Sequence, residues 1–181
     1  MHLLLYNKSQ FLDALTDIDH PAFNLDRSKD LIGEYHALMM KQDYDLTFRD
    51  LIENPKYIGN EDILRAFTKF TYNLHEKGIL FNDHSPGNTL IKITDNGYKF
   101  YLVDLNRMDF VKLDFNSKMK NFSRLSPKKE MVRIMANEYA KFTAYNEDDV
   151  FNKMWEYTSA FQRKYHRKKA FKKKYYFWRK K

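Results

Sequence analysis

The sequence predicts an α+β fold, a mostly helical body with one embedded β-hairpin. Three observations predict it. Several segments carry apolar residues at helical spacing behind capping residues. One stretch is β-rich on both sides of Asp95-Asn96-Gly97, a strong signal for a tight hairpin turn. The 181 residues are 43% hydrophobic and 17% aromatic, enough to bury the core of about one domain, so disorder over most of the length is not expected.

The elements follow in order. Residues 2–6 (HLLLY) suit a short strand, and residues 9–18 a short helix with Ser9 as N-cap and Phe11, Leu12 and Leu15 on one side. Segment 19–33 is polar and turn-rich, 34–40 (EYHALMM) reads as a strand, 41–45 as a connector and 46–53 as a short helix. Asn60 to Lys77 is the clearest helix. Asn60 is placed to cap it, Glu61 and Asp62 sit in the first turn, where the helix dipole favours anions, and Ile63, Phe67, Phe70 and Leu74 form one apolar face. Gly78 is a natural stop, and Ile79-Leu80-Phe81 follow as a buried strand. Thr89–Ile93 and Tyr98–Val103 are the arms of the hairpin. Ser126-Pro127 starts a helix running to about Thr143, with Pro127 at its first position. Asn146 caps a last helix with Phe151, Met154, Trp155 and Phe161 on its apolar side, and this helix is placed to continue into the C-terminal tail.

Composition narrows the chemistry. There are no cysteines, hence no disulfide framework and no cysteine-based metal site or nucleophile. The six histidines lack an HxxxH-type spacing, which argues against zinc. MHLLLYNKSQ has no basic segment ahead of its short apolar run, and no stretch approaches the ~18 apolar residues of a spanning helix. A cytoplasmic protein, soluble or bound to a membrane surface, is expected. The net charge of +8 is unevenly placed. Residues 163–181 hold 11 Lys/Arg and no Asp/Glu, and the remaining 21 basic and 24 acidic residues give the body a net charge of −3. Such asymmetry points to a localised anionic partner.

The stretch FNDHSPGNTLIKITDNGYKFYLVDLNRMDF, residues 81–110, carries the chemistry. A hairpin over 89–103 returns the chain to its start, so Asp104, just past the second strand, is expected close to Asn88, just before the first. Asp83 lies five residues before Asn88, across a loop shaped by Pro86 and Gly87. Magnesium prefers oxygen ligands and takes one or two protein groups besides phosphates and water. Asn88 and Asp104 suit that role, and Asp83 suits a base that accepts or orients the proton of an attacking hydroxyl. The alternative for Asp83 or Asn88 taken singly is a turn cap.

At these residues the sequence resembles a protein kinase-like catalytic core: Asp83, four residues, Asn88, a hairpin, then Asp104-Leu105-Asn106. More closely it resembles the bacterial lipopolysaccharide core kinases, which phosphorylate Kdo or heptose sugars of the lipid A–core region. Leu74-His75-Glu76-Lys77-Gly78-Ile79, Asp83-His84-Ser85-Pro86-Gly87-Asn88, Asp104-Leu105-Asn106-Arg107 and NFSRL at 121–125 carry the resemblance, which spans roughly residues 34–181. It implies a kinase-like large lobe over 34–162 that uses ATP and Mg2+, with Asp83 as catalytic base and Asn88 and Asp104 as metal ligands. It also implies an adenine-side hinge in Gln42–Thr47, at Asp43, Tyr44 and Asp45. It further implies that residues 1–33 are a short atypical segment where a small lobe is expected. None of Gly33, Gly59, Gly78, Gly87 and Gly97 forms a phosphate-covering loop, Phe81 stands where the catalytic-loop histidine is usual, and Ser85 where many protein kinases have lysine. A non-catalytic lobe remnant that binds a partner or a membrane is therefore the alternative reading. His75 is expected to pack at its helix end. His84, beside Asp83, has a better place for chemistry, but loop packing is an equal reading. Arg107 suits either a phosphate contact or an ion pair within the lobe.

The tail, Arg163, Lys164, Arg167, Lys168, Lys169, Lys172, Lys173, Lys174, Arg179, Lys180 and Lys181, interleaves with Tyr165, Phe171, Tyr175, Tyr176, Phe177 and Trp178. Cations beside aromatics suit an anionic membrane surface, which for a lipid-linked acceptor is the inner face of the bacterial inner membrane. Nucleic acid would meet the same chemistry, but no recognition motif accompanies it. A solvated terminus is the remaining alternative.

Overall fold

The computed structural model describes residues 44–103 and 107–179. The expected elements over 2–18 and 34–40, together with Asp43, Asp104, Leu105, Asn106, Lys180 and Lys181, lie outside the described residues.

The described chain is α+β, with helices packed against small antiparallel sheets. The chain enters as a two-residue strand, β1 (Leu46–Thr47), and turns directly into α1 (Phe48–Glu53). The expected helix over 46–53 thus begins two residues later, because Leu46 and Thr47 pair with Ile91 and Leu90. Thr47 starts α1, and the Asp50 carboxylate accepts from its N–H at 2.6 Å and its hydroxyl at 2.7 Å. α2 (Asn60–Glu76) follows, with Ile63, Leu64, Phe67, Thr71 and Leu74 buried along one face.

Asn60 does not cap α2. Gly59 does, at φ +82°, and the Asn60 side chain instead donates to the carbonyls of Leu51 at 3.1 Å and Asn54 at 3.4 Å, satisfying the end of α1. α2 stops at Gly78, whose φ of +73° suits glycine and whose added Cβ would meet the Val111 carbonyl oxygen at 3.0 Å. That approach exists because β2 (Ile79–Phe81) pairs antiparallel with β5 (Met108–Phe110), and Val111 N–H donates to the Gly78 carbonyl at 2.8 Å.

The hairpin is β3 (Thr89–Thr94) and β4 (Gly97–Leu102), in register from Thr89 opposite Leu102 to Thr94 opposite Gly97. With β1 it forms a three-stranded sheet of order β1-β3-β4. α3 (Phe115–Asn121) is capped by the Asp114 carboxylate, which accepts from Ser117 N–H at 2.8 Å, and runs into a 3₁₀ turn, Phe122–Arg124.

α4 covers Lys129–Ala140. It begins later than Ser126-Pro127, because Ser126 faces inward: its hydroxyl is buried, accepts from Lys128 N–H at 3.1 Å and lies 3.1 Å from Met131 sulfur. α5 (Glu147–Arg179) is capped as expected, with Asn146 Oδ1 accepting from Asp148 N–H at 2.8 Å.

The core forms where α1, α2, the hairpin, the 3₁₀ turn, α4 and the start of α5 meet. Phe67 lies at its centre, 4.8 Å from the Phe48 ring and 5.5 Å from Phe100. A second small cluster, Leu74, Ile79, Phe81 and Leu102, joins the end of α2 to β2. α5 has 33 residues, or about 50 Å of helix. Its first half buries Val150, Phe151, Met154 and Thr158, whereas every described side chain from Arg163 onward is exposed. Gly78→Ala is expected to cost about 1–2 kcal/mol for its left-handed backbone, with a further cost from the Val111 contact, read as a lowered urea midpoint at unchanged slope.

Candidate functional site

The loop 82–88 joins β2 to β3 and is folded on its own backbone. Ser85 N–H donates to the Asp83 carbonyl at 2.7 Å, and Asn88 N–H to the Ser85 carbonyl at 3.0 Å. The Asn88 side chain closes the loop, with Nδ2 donating to the Asp83 carbonyl at 3.0 Å. An amide that spends its nitrogen this way leaves Oδ1, the hard donor, outside that bond. The outside of the loop is fixed too. Pro86 accepts from Arg49 N–H at 3.1 Å, Asn82 N–H donates to the Arg107 carbonyl at 2.8 Å, and the Asn82 amide donates to Asp109 at 2.7 Å.

Val103 N–H donates to the Asn88 carbonyl at 3.0 Å, so the last described residue before Asp104 is tied to the residue that opens the hairpin. Asp83 and Asn88 therefore share one closed loop, and the strand leading to Asp104 ends against it. Asp104 itself lies outside the described residues.

The Asp83 carboxylate is only 13% exposed and lies between two guanidinium groups. Arg124 Nη1 is 2.7 Å from Oδ1, and Arg107 Nη1 is 3.9 Å from Oδ2. Arg124 also donates to the Asn82 carbonyl at 3.3 Å, and its guanidinium stands 5.8 Å from the Phe161 ring on α5. Of the two roles open to Arg107, a phosphate contact or an ion pair, the structure shows the ion pair with Asp83. Arg124 was visible only as part of NFSRL, because its partner lies far away along the chain.

His84 is 1% exposed and packs against Phe67 at 5.3 Å and Phe81 at 5.8 Å. Burial, with His75 adding to it, pushes its imidazole down to about 3, so it is neutral and packed inside rather than presented beside Asp83. His75 is also buried and pushed down by burial to about 4.

On the expected hinge, Tyr44 is exposed. The Asp45 carboxylate accepts from Ile93 N–H at 2.7 Å and from Lys92 at 3.3 Å, which holds it below the usual carboxylate range and anchors β1 to β3. Of the tail cations, Arg163, Lys164, Arg167, Lys168, Lys169, Lys172 and Lys173 are all exposed on α5. A cavity of about 790 Å³ lies between α2 and β4, with Phe70, Leu74, Tyr98 and Phe100 in its wall and none of the expected site residues.

No protein-family model matches the chain, and no curated protein matches it in sequence. Among the described residues no helix is long and apolar enough to cross a membrane.

The two buried imidazoles make folding pH-dependent. Their folded pKa values, about 4 and about 3, lie below the ordinary 6.5, so the unfolded chain binds the extra protons. Stability is full above pH 6.5 and falls as the pH drops towards 4, by about 1.4 kcal/mol per pH unit for each histidine. Urea unfolding at pH 7 and pH 5 checks this, and a His84→Gln variant is expected to cut the difference by about half, leaving the part due to His75.

Proposed function

We propose that the chain is a kinase-like phosphotransferase of the lipopolysaccharide core kinase type, moving the γ-phosphate of ATP to a Kdo or heptose hydroxyl of the lipid A–core. The observation that carries this reading is the closed loop. Asp83 and Asn88 are locked in it by their own hydrogen bonds, and Val103, which leads to Asp104, is bonded to Asn88. That supports the spacing the kinase resemblance requires, within a fold that is α+β as expected.

In this reading Asp83 receives and orients the acceptor hydroxyl. Arg124, 2.7 Å from the Asp83 carboxylate, fixes its orientation, which suits a transfer that depends on positioning more than on early proton removal. Asn88, through Oδ1, and Asp104 would hold Mg2+, which when bound neutralises charge on the phosphates. The Asn88 amide fits that assignment, since the bond from its nitrogen to the Asp83 carbonyl orients the oxygen. Tyr44 and Asp45, with Asp43, would border the adenine. The exposed cations of α5 would seat the enzyme on an anionic inner-membrane surface, where its acceptor is inserted.

A second reading is a catalytically impaired lobe that keeps its binding role. The contact that favours it is the same Arg124–Asp83 pair, which occupies the oxygen a hydroxyl would need.

Transfer of label from γ-³²P-ATP to purified lipid A–core should fall by about 10²- to 10⁴-fold in Asp83→Ala. Equal incorporation by both proteins would remove Asp83 as base, and none by either would favour the impaired lobe. Sedimentation with phosphatidylserine or phosphatidylglycerol vesicles should weaken steeply when Lys168, Lys169, Lys172 and Lys173 are changed to Gln. About 1 kcal/mol per cation is expected at low salt, and retention equal to wild type would contradict the membrane role.

A further inference from the structure

Beneath the loop, α3 ends in Asn121, and the site described above makes no use of it. Its Nδ2 donates to the Phe81 carbonyl at 2.8 Å. Its Oδ1 lies 3.0 Å from His75 Nε2 and 3.2 Å from His84 Nδ1. The Phe81 carbonyl can only accept, which fixes which way the amide points. The amide oxygen can only accept as well, so both facing imidazole nitrogens carry a hydrogen. His75 is then the Nε2–H tautomer, with Nδ1 accepting from the Tyr139 hydroxyl at 3.0 Å. His84 is the Nδ1–H tautomer, and its Nε2 is left a buried lone pair without a hydrogen-bond partner among the described residues.

Three successive residues of the loop entrance are thus gripped from one side. Asn121 holds the Phe81 carbonyl, and Arg124 holds both the Asn82 carbonyl and the Asp83 carboxylate. We propose that Asn121, locked between His75 and His84, is the positioning residue that sets the height and direction of the Asp83 loop. The claim rests on the phosphotransfer reading above. It concerns a residue that touches neither nucleotide nor acceptor and acts through the Phe81 backbone.

Two measurements on the full chain test it. ¹⁵N imidazole spectra of the wild type at pH 7 should show two neutral rings of opposite tautomer, His75 Nε2–H and His84 Nδ1–H. A His84 found as Nε2–H overturns the hydrogen-bond arrangement. Asn121→Asp keeps an acceptor for both rings but sets a carboxylate oxygen, in place of the N–H donor, against the Phe81 carbonyl. At a pH where it melts with the wild type, its kcat with MgATP and lipid A–core should fall about 10- to 100-fold while KM for MgATP stays within about twofold. A wild-type kcat in this folded variant overturns the positioning role and leaves the kinase reading standing. A wild-type protein that transfers no phosphate overturns the kinase reading, and the positioning role with it.

Discussion

The fold converges on one buried polar junction. The Asn121 amide meets His75 of α2, the Phe81 carbonyl of β2 and His84 of the following loop, and His75 reaches Tyr139 of α4 in turn. Five segments are registered by four hydrogen bonds inside an apolar shell that includes Phe67, Phe81 and Phe122. Stripping one partner from such a junction leaves the others buried and unpaired, at about 1–3 kcal/mol for each group. The junction therefore has few alternatives, and the loop above it inherits that definition.

The site sits on this base. Below, Asn121 and Arg124 hold residues 81–83, and above, the loop closes on itself through Asn88. The two antiparallel pairings divide the remaining work. β2 with β5 brings Arg107 to Asp83, and β3 with β4 brings Val103 to Asn88. A loop supported from both sides in this way has a well-defined position. α5 links the site to the tail, since Phe161 faces Arg124 only two residues before the exposed basic stretch begins.

What was legible in the sequence was local. The α2 face, the stop at Gly78, the Asp95-Asn96 turn and the Asn146 cap all depend on neighbours within a few residues, and each was found where its chemistry places it. Asn60 misled because asparagine is a good cap wherever it stands, whereas here its amide serves the end of α1. Ser126-Pro127 misled similarly, with the Ser126 hydroxyl drawn inward toward Met131. The Arg124–Asp83 pair and the Asn121 junction had no local signal, since each joins residues 37 or more positions apart. The closeness of Asn88 to the end of β4 was legible, because an in-register hairpin must bring its two ends together.

The central claim is that the Asp83–Asn88 loop is the metal–nucleotide site. The most direct measurement replaces Mg2+ with paramagnetic Mn2+ in the presence of ATP and follows the amide resonances of the chain. The account predicts selective broadening of the Asn88 side-chain amide and of the Asp83 and Val103 backbone signals, abolished in Asn88→Ala. Broadening confined to the acidic start of α5 at Glu147, Asp148 and Asp149, with the loop signals unchanged, would contradict it.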